Sequence, residues 1–234
     1  MKEKISILIH GYNKNKNDMS TLSENLKKLN HKCISVNLPL TYKEIDHAAF
    51  IFEEIVEETL KEIGQDEKVN LIGHSTGGLI IRNYLLKPKN RDRINSCILI
   101  ATPNNGSELA DMASNYFNVL TYIFKTLKSL KTENVRRINF INDERIRIGA
   151  IAGKNNKLLL GKLLKEENDG RVTINSVYYE GLEDFVILPH QHKEIHYKWE
   201  TAKLIDNFVE TGKFTSECKL SDYGKIFIKG REYC

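Results

Sequence analysis

Several features are scarce in this 234-residue chain, and each scarcity removes a class of protein. Cysteine occurs four times, as Cys33, Cys97, Cys218 and Cys234, with no C-x-x-C pair and no metal-ligand spacing. A zinc module or a disulfide-dense scaffold therefore does not fit, although Cys218 and Cys234 bracket the tail and could pair. No charge of one sign dominates: 35 basic residues face 31 acidic ones, a formal net charge of +4. Such a mixed surface gives nucleic acid little to bind, and the mild cluster Lys154, Lys157, Lys162 and Lys165 reads as solvated loop with some attraction for an anionic surface. No apolar run reaches the roughly 18 residues needed to span a bilayer. The apolar stretch Ile5–Ile9 near the N-terminus is too short for a secretion signal and lacks a small-residue cleavage site, so the chain reads as cytoplasmic. Internal repeats, low-complexity tracts and linkers are also missing, which leaves one large unit of residues 1–210 and a short accessory tail, 211–234.

What is present is a rhythm. Apolar runs at Ile5–Ile9, Cys33–Leu38, Val69–Ile72 and Ile94–Ile100 alternate with helical patterns. The clearest helix runs from Ile45 through Ala49, Phe52, Val56, Leu60 and Ile63, a stripe of 3.6-residue period closed by Gly64. Strand character returns at Ile146–Ala152 and Phe185–Leu188, and a terminal helix carries Trp199, Ala202, Ile205, Phe208 and Val209 on one side. Near-continuous apolar strands separated by helices predict an α/β fold, a mostly parallel sheet covered on both faces. Residues 107–130 interrupt the pattern with a helical segment that is apolar almost all round. It reads either as a fully buried helix or as a lid above the strand ends. The stretch Leu158–Leu164 suggests a second small flap, and Lys225–Ile228 one strand of a tail hairpin.

Chemistry concentrates at Gly73-His74-Ser75-Thr76-Gly77. A G-x-S-x-G arises by chance in a chain of this length with probability of roughly 0.1, given about 7% usage of each residue. The buried strand before it and the helix after it lower that figure, because together they form a nucleophile elbow. Ser75 must then stand on a sharp turn, and Cβ atoms at Gly73 and Gly77 would strike the neighbouring strand and helix. A serine hydroxyl needs a base. Only His190, His192 and His196 lie downstream, between the last core strand and the terminal helix, and His192 is best placed in mid-loop. The acid should precede them: Asp169, at the turn Asn168-Asp169-Gly170, is favoured over Glu183 and Asp184, which start the final strand. The Thr76 N–H and the Tyr12 N–H, the latter on the His10-Gly11-Tyr12 loop, are candidate oxyanion donors, with His10 and His74 as scaffold.

These pieces resemble the lipase and esterase branch of the α/β-hydrolases, especially bacterial triacylglycerol lipases and GPI inositol-deacylase-like proteins. The matching segments are I-L-I-H-G-Y (7–12), V-N-L-I-G-H-S-T-G-G (69–78), I-A-T-P-N-N-G-S (100–107), I-A-G-K (151–154), N-D-G-R-V (168–172) and the stretch from His192 to Phe208. The resemblance implies a Ser75–His192–Asp169 triad, an oxyanion hole at Tyr12 and Thr76, a lid insertion near 107–130, and hydrolysis of acyl esters without cofactor or metal. It implies a small-molecule or lipid ester as partner, with peripheral contact to a lipid surface. Arg171 departs from the pattern, standing where a small or aliphatic residue is usual. It either draws the mouth towards anionic substrates or points to solvent. The same machinery would serve an acyltransferase or thioesterase, and a non-catalytic binding protein on this fold is the rival from another class.

Overall fold

The computed structural model describes residues 2–87, 89–116, 124–138, 145–215, 226–228 and 231–233. Six strands, β1 (Lys4–Ile9), β2 (His31–Val36), β3 (Val69–His74), β4 (Ile94–Ile100), β5 (Arg147–Gly153) and β6 (Asp184–Leu188), form one sheet in the order β2-β1-β3-β4-β5-β6. Every neighbouring pair is parallel. The reason lies in burial: all six residues of β3 are buried, as are five of six in β1, so both faces need cover. Helices α2 (Ile45–Glu62) and α3 (Thr76–Leu85) cover one face, where Phe52, Val56 and Leu79 meet Ile7, Leu71 and Leu99. Helix α1 (Ser20–Lys27) and a C-terminal helix cover the other, where Leu22, Leu26, Ile205 and Phe208 meet Leu8, Ile72 and Ile98.

Strand order reverses between β1, which leads outward to β2, and β3, which leads the opposite way. At such a switch point the loops beyond the carboxyl ends diverge and leave a crevice. Ser75 follows β3 and Tyr12 follows β1, so both border it.

The remaining elements adjust several expectations. Segment 107–130 is not one helix: α4 (Glu108–Tyr116) and α5 (Lys125–Ser129) are separate, and Phe124 takes non-helical angles before α5. Nor is it buried all round, since in α4 Ala110 enters the core while Leu109, Met112 and Ala113 are only half-buried. The apolar core of the expected segment, 117–123, lies outside the described residues. A short α6 (Thr132–Val135) follows, and α7 (Ile174–Val177) precedes β6. The terminal helix α8 (Trp199–Thr211) starts at Trp199, after a 3-10 turn at Ile195–Tyr197 that takes up His196. Trp199 is 43% exposed, because helix start and core face coincide only from Thr201 onward. Leu159–Leu163 is a 3-10 turn with Leu159, Leu160 and Leu163 exposed. In the tail, β7 (Ile226–Ile228) pairs antiparallel with β8 (Arg231–Tyr233). Cys33 and Cys97 are free thiols, each pushed up by burial, Cys33 to about 11, so both are inert at neutral pH. Cys218 and Cys234 lie outside the described residues.

Candidate active site

Ser75 sits at φ 53°, ψ −121°, a region that L-residues rarely occupy and that costs on the order of 1–3 kcal/mol. Two backbone hydrogen bonds hold it there: Ser75 N–H donates to the Ile100 carbonyl at 2.8 Å, and Gly78 N–H donates to the Ser75 carbonyl at 3.1 Å. The flanking glycines are steric necessities. A Cβ on Gly73 would lie 2.5 Å from the Gly77 carbonyl carbon, and one on Gly77 would lie 2.5 Å from the Ile9 oxygen.

The loop after β6 carries His192 towards this turn. Its Nε2 lies 3.0 Å from Ser75 Oγ and its Nδ1 lies 2.7 Å from Asp169 Oδ2. An ionised carboxylate can only accept, so Nδ1 holds the ring proton and donates it to Asp169, and Nε2 is left to accept from the serine hydroxyl. The acid is fixed from both ends. Its Oδ1 accepts the Arg171 and Val172 amides at 2.9 and 2.8 Å, and its carbonyl accepts the His192 amide at 2.9 Å. Asp169 is 0% exposed and His192 4%, so their contact is shielded from water. Gly153, at the end of β5, makes room: a Cβ there would lie 2.7 Å from Asp169 Cβ and 2.5 Å from the His190 oxygen.

The competing residues are engaged elsewhere. His190 pairs with Glu200 at 3.0 Å. Asp184 accepts the Phe214 amide at 2.6 Å at the far end of the sheet, where burial raises its pKa, and Glu183 pairs with Lys213 at 3.5 Å. Thr76 opens α3 directly after Ser75, so its amide is among the donors that an α-helix cannot satisfy internally. Tyr12 borders the same crevice, and Gly11 lets the β1 loop approach closely, with a built Cβ only 3.1 Å from Ser75 Cβ.

Behind the reacting groups stands a histidine stack that no local sequence signal announces. His74 and His196 rings lie 3.8 Å apart at 23°, and His74 Nε2–H donates to the His192 carbonyl at 3.0 Å. Burial, joined by His196 and His192, holds His74 well below the usual imidazole range. Burial also lowers His196, against the pull of Asp18. Burial alone would raise the Asp18 carboxyl, but contacts with His196 and Tyr197 hold it far below the usual carboxylate range. Ligand atoms of Asp18, His74 and His196 lie within 4.8 Å of one another. Nearly parallel rings, however, direct their in-plane lone pairs side by side rather than onto one ion, so the set does not suit a metal. His10 is scaffold of another kind, donating to the Gly11 carbonyl at 2.9 Å and accepting from the Leu38 amide at 3.1 Å.

A cavity of about 680 Å³ opens beside Ser75. Its walls are chiefly apolar: Leu109 and Met112 from α4, Leu127 from α5, Leu160 and Leu163 from the 3-10 turn, and Val172 beyond the acid. A second device missed in the sequence braces this side. Arg82 of α3, 3% exposed, donates to the Asn104 carbonyl and the Ile138 carbonyl at 2.6 Å each. Burial lowers its pKa to about 10, which still leaves it charged at neutral pH.

Residues 7–142 match the alpha/beta hydrolase fold family, and the chain belongs to it. Over 93 residues it is 33% identical to triacylglycerol lipase 2 of Saccharomyces cerevisiae, a match spanning 38% of this chain and 28% of that protein. The chain thus aligns with little more than a quarter of its curated relative. Among solved structures, the Bacillus licheniformis lipase BlEst2 in mature form superimposes with a TM-score of 0.75 at 19% identity, covering 91% of this chain and 92% of the other. Phospholipase PlaB from Legionella pneumophila does so with a TM-score of 0.68 at 15% identity, covering 91% and 60%. These two share the fold. Among the described residues, no helix is long and apolar enough to cross a membrane.

Proposed function

We propose that this protein is a serine carboxylester hydrolase. Ser75 attacks the acyl carbon while His192 Nε2 takes its proton, and Asp169 orients the ring and stabilises the imidazolium. The oxyanion of the tetrahedral intermediate is received by the Tyr12 and Thr76 amides. His192 then returns the proton to the departing alcohol, leaving an acyl-enzyme that water cleaves by the same steps in reverse order. The observation carrying this reading is the pair of contacts, 3.0 Å and 2.7 Å, that link Ser75 to Asp169 through His192 at the edge of an apolar cavity.

The cavity's volume and apolar walls favour acyl chains of moderate to long length. In this reading residues 107–130 act as a lid, residues 1–210 carry the reaction, and 211–234 is an accessory. Leu159, at 79% exposure on the 3-10 turn near the cavity rim, would dip into a lipid surface. The kinship with a yeast triacylglycerol lipase agrees with this substrate class.

The test is direct. A fluorophosphonate probe should label the wild type and not Ser75→Ala, and p-nitrophenyl esters from acetate to palmitate should be hydrolysed with a loss of about 10⁶-fold in the variant. Labelling without hydrolysis of any ester would move the assignment to acyl transfer or thioester cleavage. No labelling would leave a binding protein.

A further inference from the structure

Ser75 borders two spaces of opposite character. Besides the apolar cavity it reaches a narrow cleft of about 30 Å³, walled by Lys14, Asp18, Arg171, Lys193 and the histidines. That volume is about one water's share of liquid, so neither a hydrocarbon chain nor an anion enters it, and a charged group meets only its rim, where Arg171 is half-buried and Lys193 exposed. The charges in this cleft do not cancel. The one acid, Asp18, meets Lys14 at 3.1 Å and the Tyr197 hydroxyl at 2.7 Å through Oδ1, with Oδ2 3.3 Å from His196 Nε2, against the three cations Lys14, Arg171 and Lys193. Asp169 spends one oxygen on His192 and the other on two amides. Among the described residues, no carboxylate lies within ion-pairing distance of Arg171 or Lys193. The Arg171 backbone is tethered, because its amide donates to Asp169 Oδ1, and the residue lines both spaces. Arg171 thus lines the same spaces as Ser75 with its guanidinium donors uncommitted, and such a group is a receptor for a planar or tetrahedral oxyanion.

We propose that Arg171, assisted by Lys193, selects esters whose alcohol part carries an anion, phosphate or carboxylate, while the acyl chain fills the apolar cavity. The proposal rests on the hydrolase reading above and adds the chemical class of its leaving group. It makes Arg171 a specificity determinant, with the acyl chain in the apolar cavity and the anion at the rim of the cleft.

The test compares three octanoyl esters, of glycerol, glycerol 3-phosphate and glyceric acid, below their aggregation limits. The wild type should prefer at least one anionic ester over the neutral one by about tenfold in kcat/KM, with the preference shrinking as salt is added. Whichever anion wins names the partner chemistry. In Arg171→Gln the ratio of anionic to neutral kcat/KM should fall about tenfold, with a smaller fall in Lys193→Gln. Reading a ratio within each variant cancels any general damage to the loop that carries Asp169. A wild-type ratio near one, or a ratio that Arg171→Gln leaves untouched, overturns the proposal and leaves the hydrolase reading intact. Calorimetry on Ser75→Ala supplies an arm without catalysis: octyl phosphate should bind more tightly than octyl glucoside, and Arg171→Gln in that background should abolish the difference. If the wild type cleaves none of the three esters, the p-nitrophenyl panel decides the hydrolase reading and this binding arm decides the anion site.

Discussion

Among single residues, Asp169 shows how much one carboxylate organises. Its two oxygens divide the labour, Oδ1 closing its own turn through two amides and Oδ2 holding His192. Asparagine could keep the first task, since its carbonyl still accepts both amides. It would fail the second, because its NH₂ group points a donor at Nδ1 and forces the ring proton onto Nε2, where no serine proton can then be received. Asp169→Asn should therefore melt near the wild-type temperature yet lose about 10⁴-fold in kcat. Thermal unfolding and ester turnover on the same preparation check both halves. A large fall in melting temperature would mean that the carboxylate serves folding first.

Elements set where such residues can stand, and one close crossing is that of β1, β3 and α3. Gly77 lies against the Ile9 carbonyl, so Gly77→Ala pushes α3 off the sheet at the position of the nucleophile. Overpacking against backbone belongs at the upper end of such costs, about 3 kcal/mol or more. Chemical denaturation should show that loss, and a variant of wild-type stability would show that the elbow can relax. This crossing was legible in sequence because it is local: strand, pentapeptide and helix are contiguous. Central strands were legible because burial on both faces leaves an unbroken apolar run. Edge strand β2 was less so, starting at His31 rather than Cys33, since its first two residues, His31 and Lys32, carry no apolar signal although His31 is buried. The break between α4 and α5 was hidden because residues lining a cavity are as apolar as residues in a core. Asp18, His74 and His196 meet only through tertiary packing across more than half the chain, and no spacing rule reaches that far. Gly153 did leave a trace, a glycine at a strand end where another segment comes close.

Across the whole molecule, buried imidazoles tie stability to pH. His10, His31, His74 and His196 all titrate below the ordinary 6.5, in each case chiefly because burial disfavours the charged ring. Between each folded value and 6.5 the unfolded chain binds more protons than the native one, so unfolding gains as pH drops. The stability these neutral rings confer is thus complete above about pH 6.5 and is lost progressively as pH falls through the folded values. Asp18 contributes nothing in that window, since its depressed carboxyl stays ionised until pH drops below 3.8. Asp184 and Glu108 act in the opposite sense, because burial raises their pKa and protonation relieves them at pH values above 3.8 and 4.5 respectively. Four rings against two carboxyls should leave the imidazoles dominant between pH 6.5 and 5. The melting temperature should therefore hold level from pH 8 to 7 and decline steadily towards pH 5. The decline should be shallower in His31→Gln, which keeps a hydrogen-bonding group near Ser6 and removes one titrating ring. A melting temperature that stays flat to pH 5 would mean that these rings accept protons in the folded state as readily as in water. Their burial would then exact no electrostatic cost.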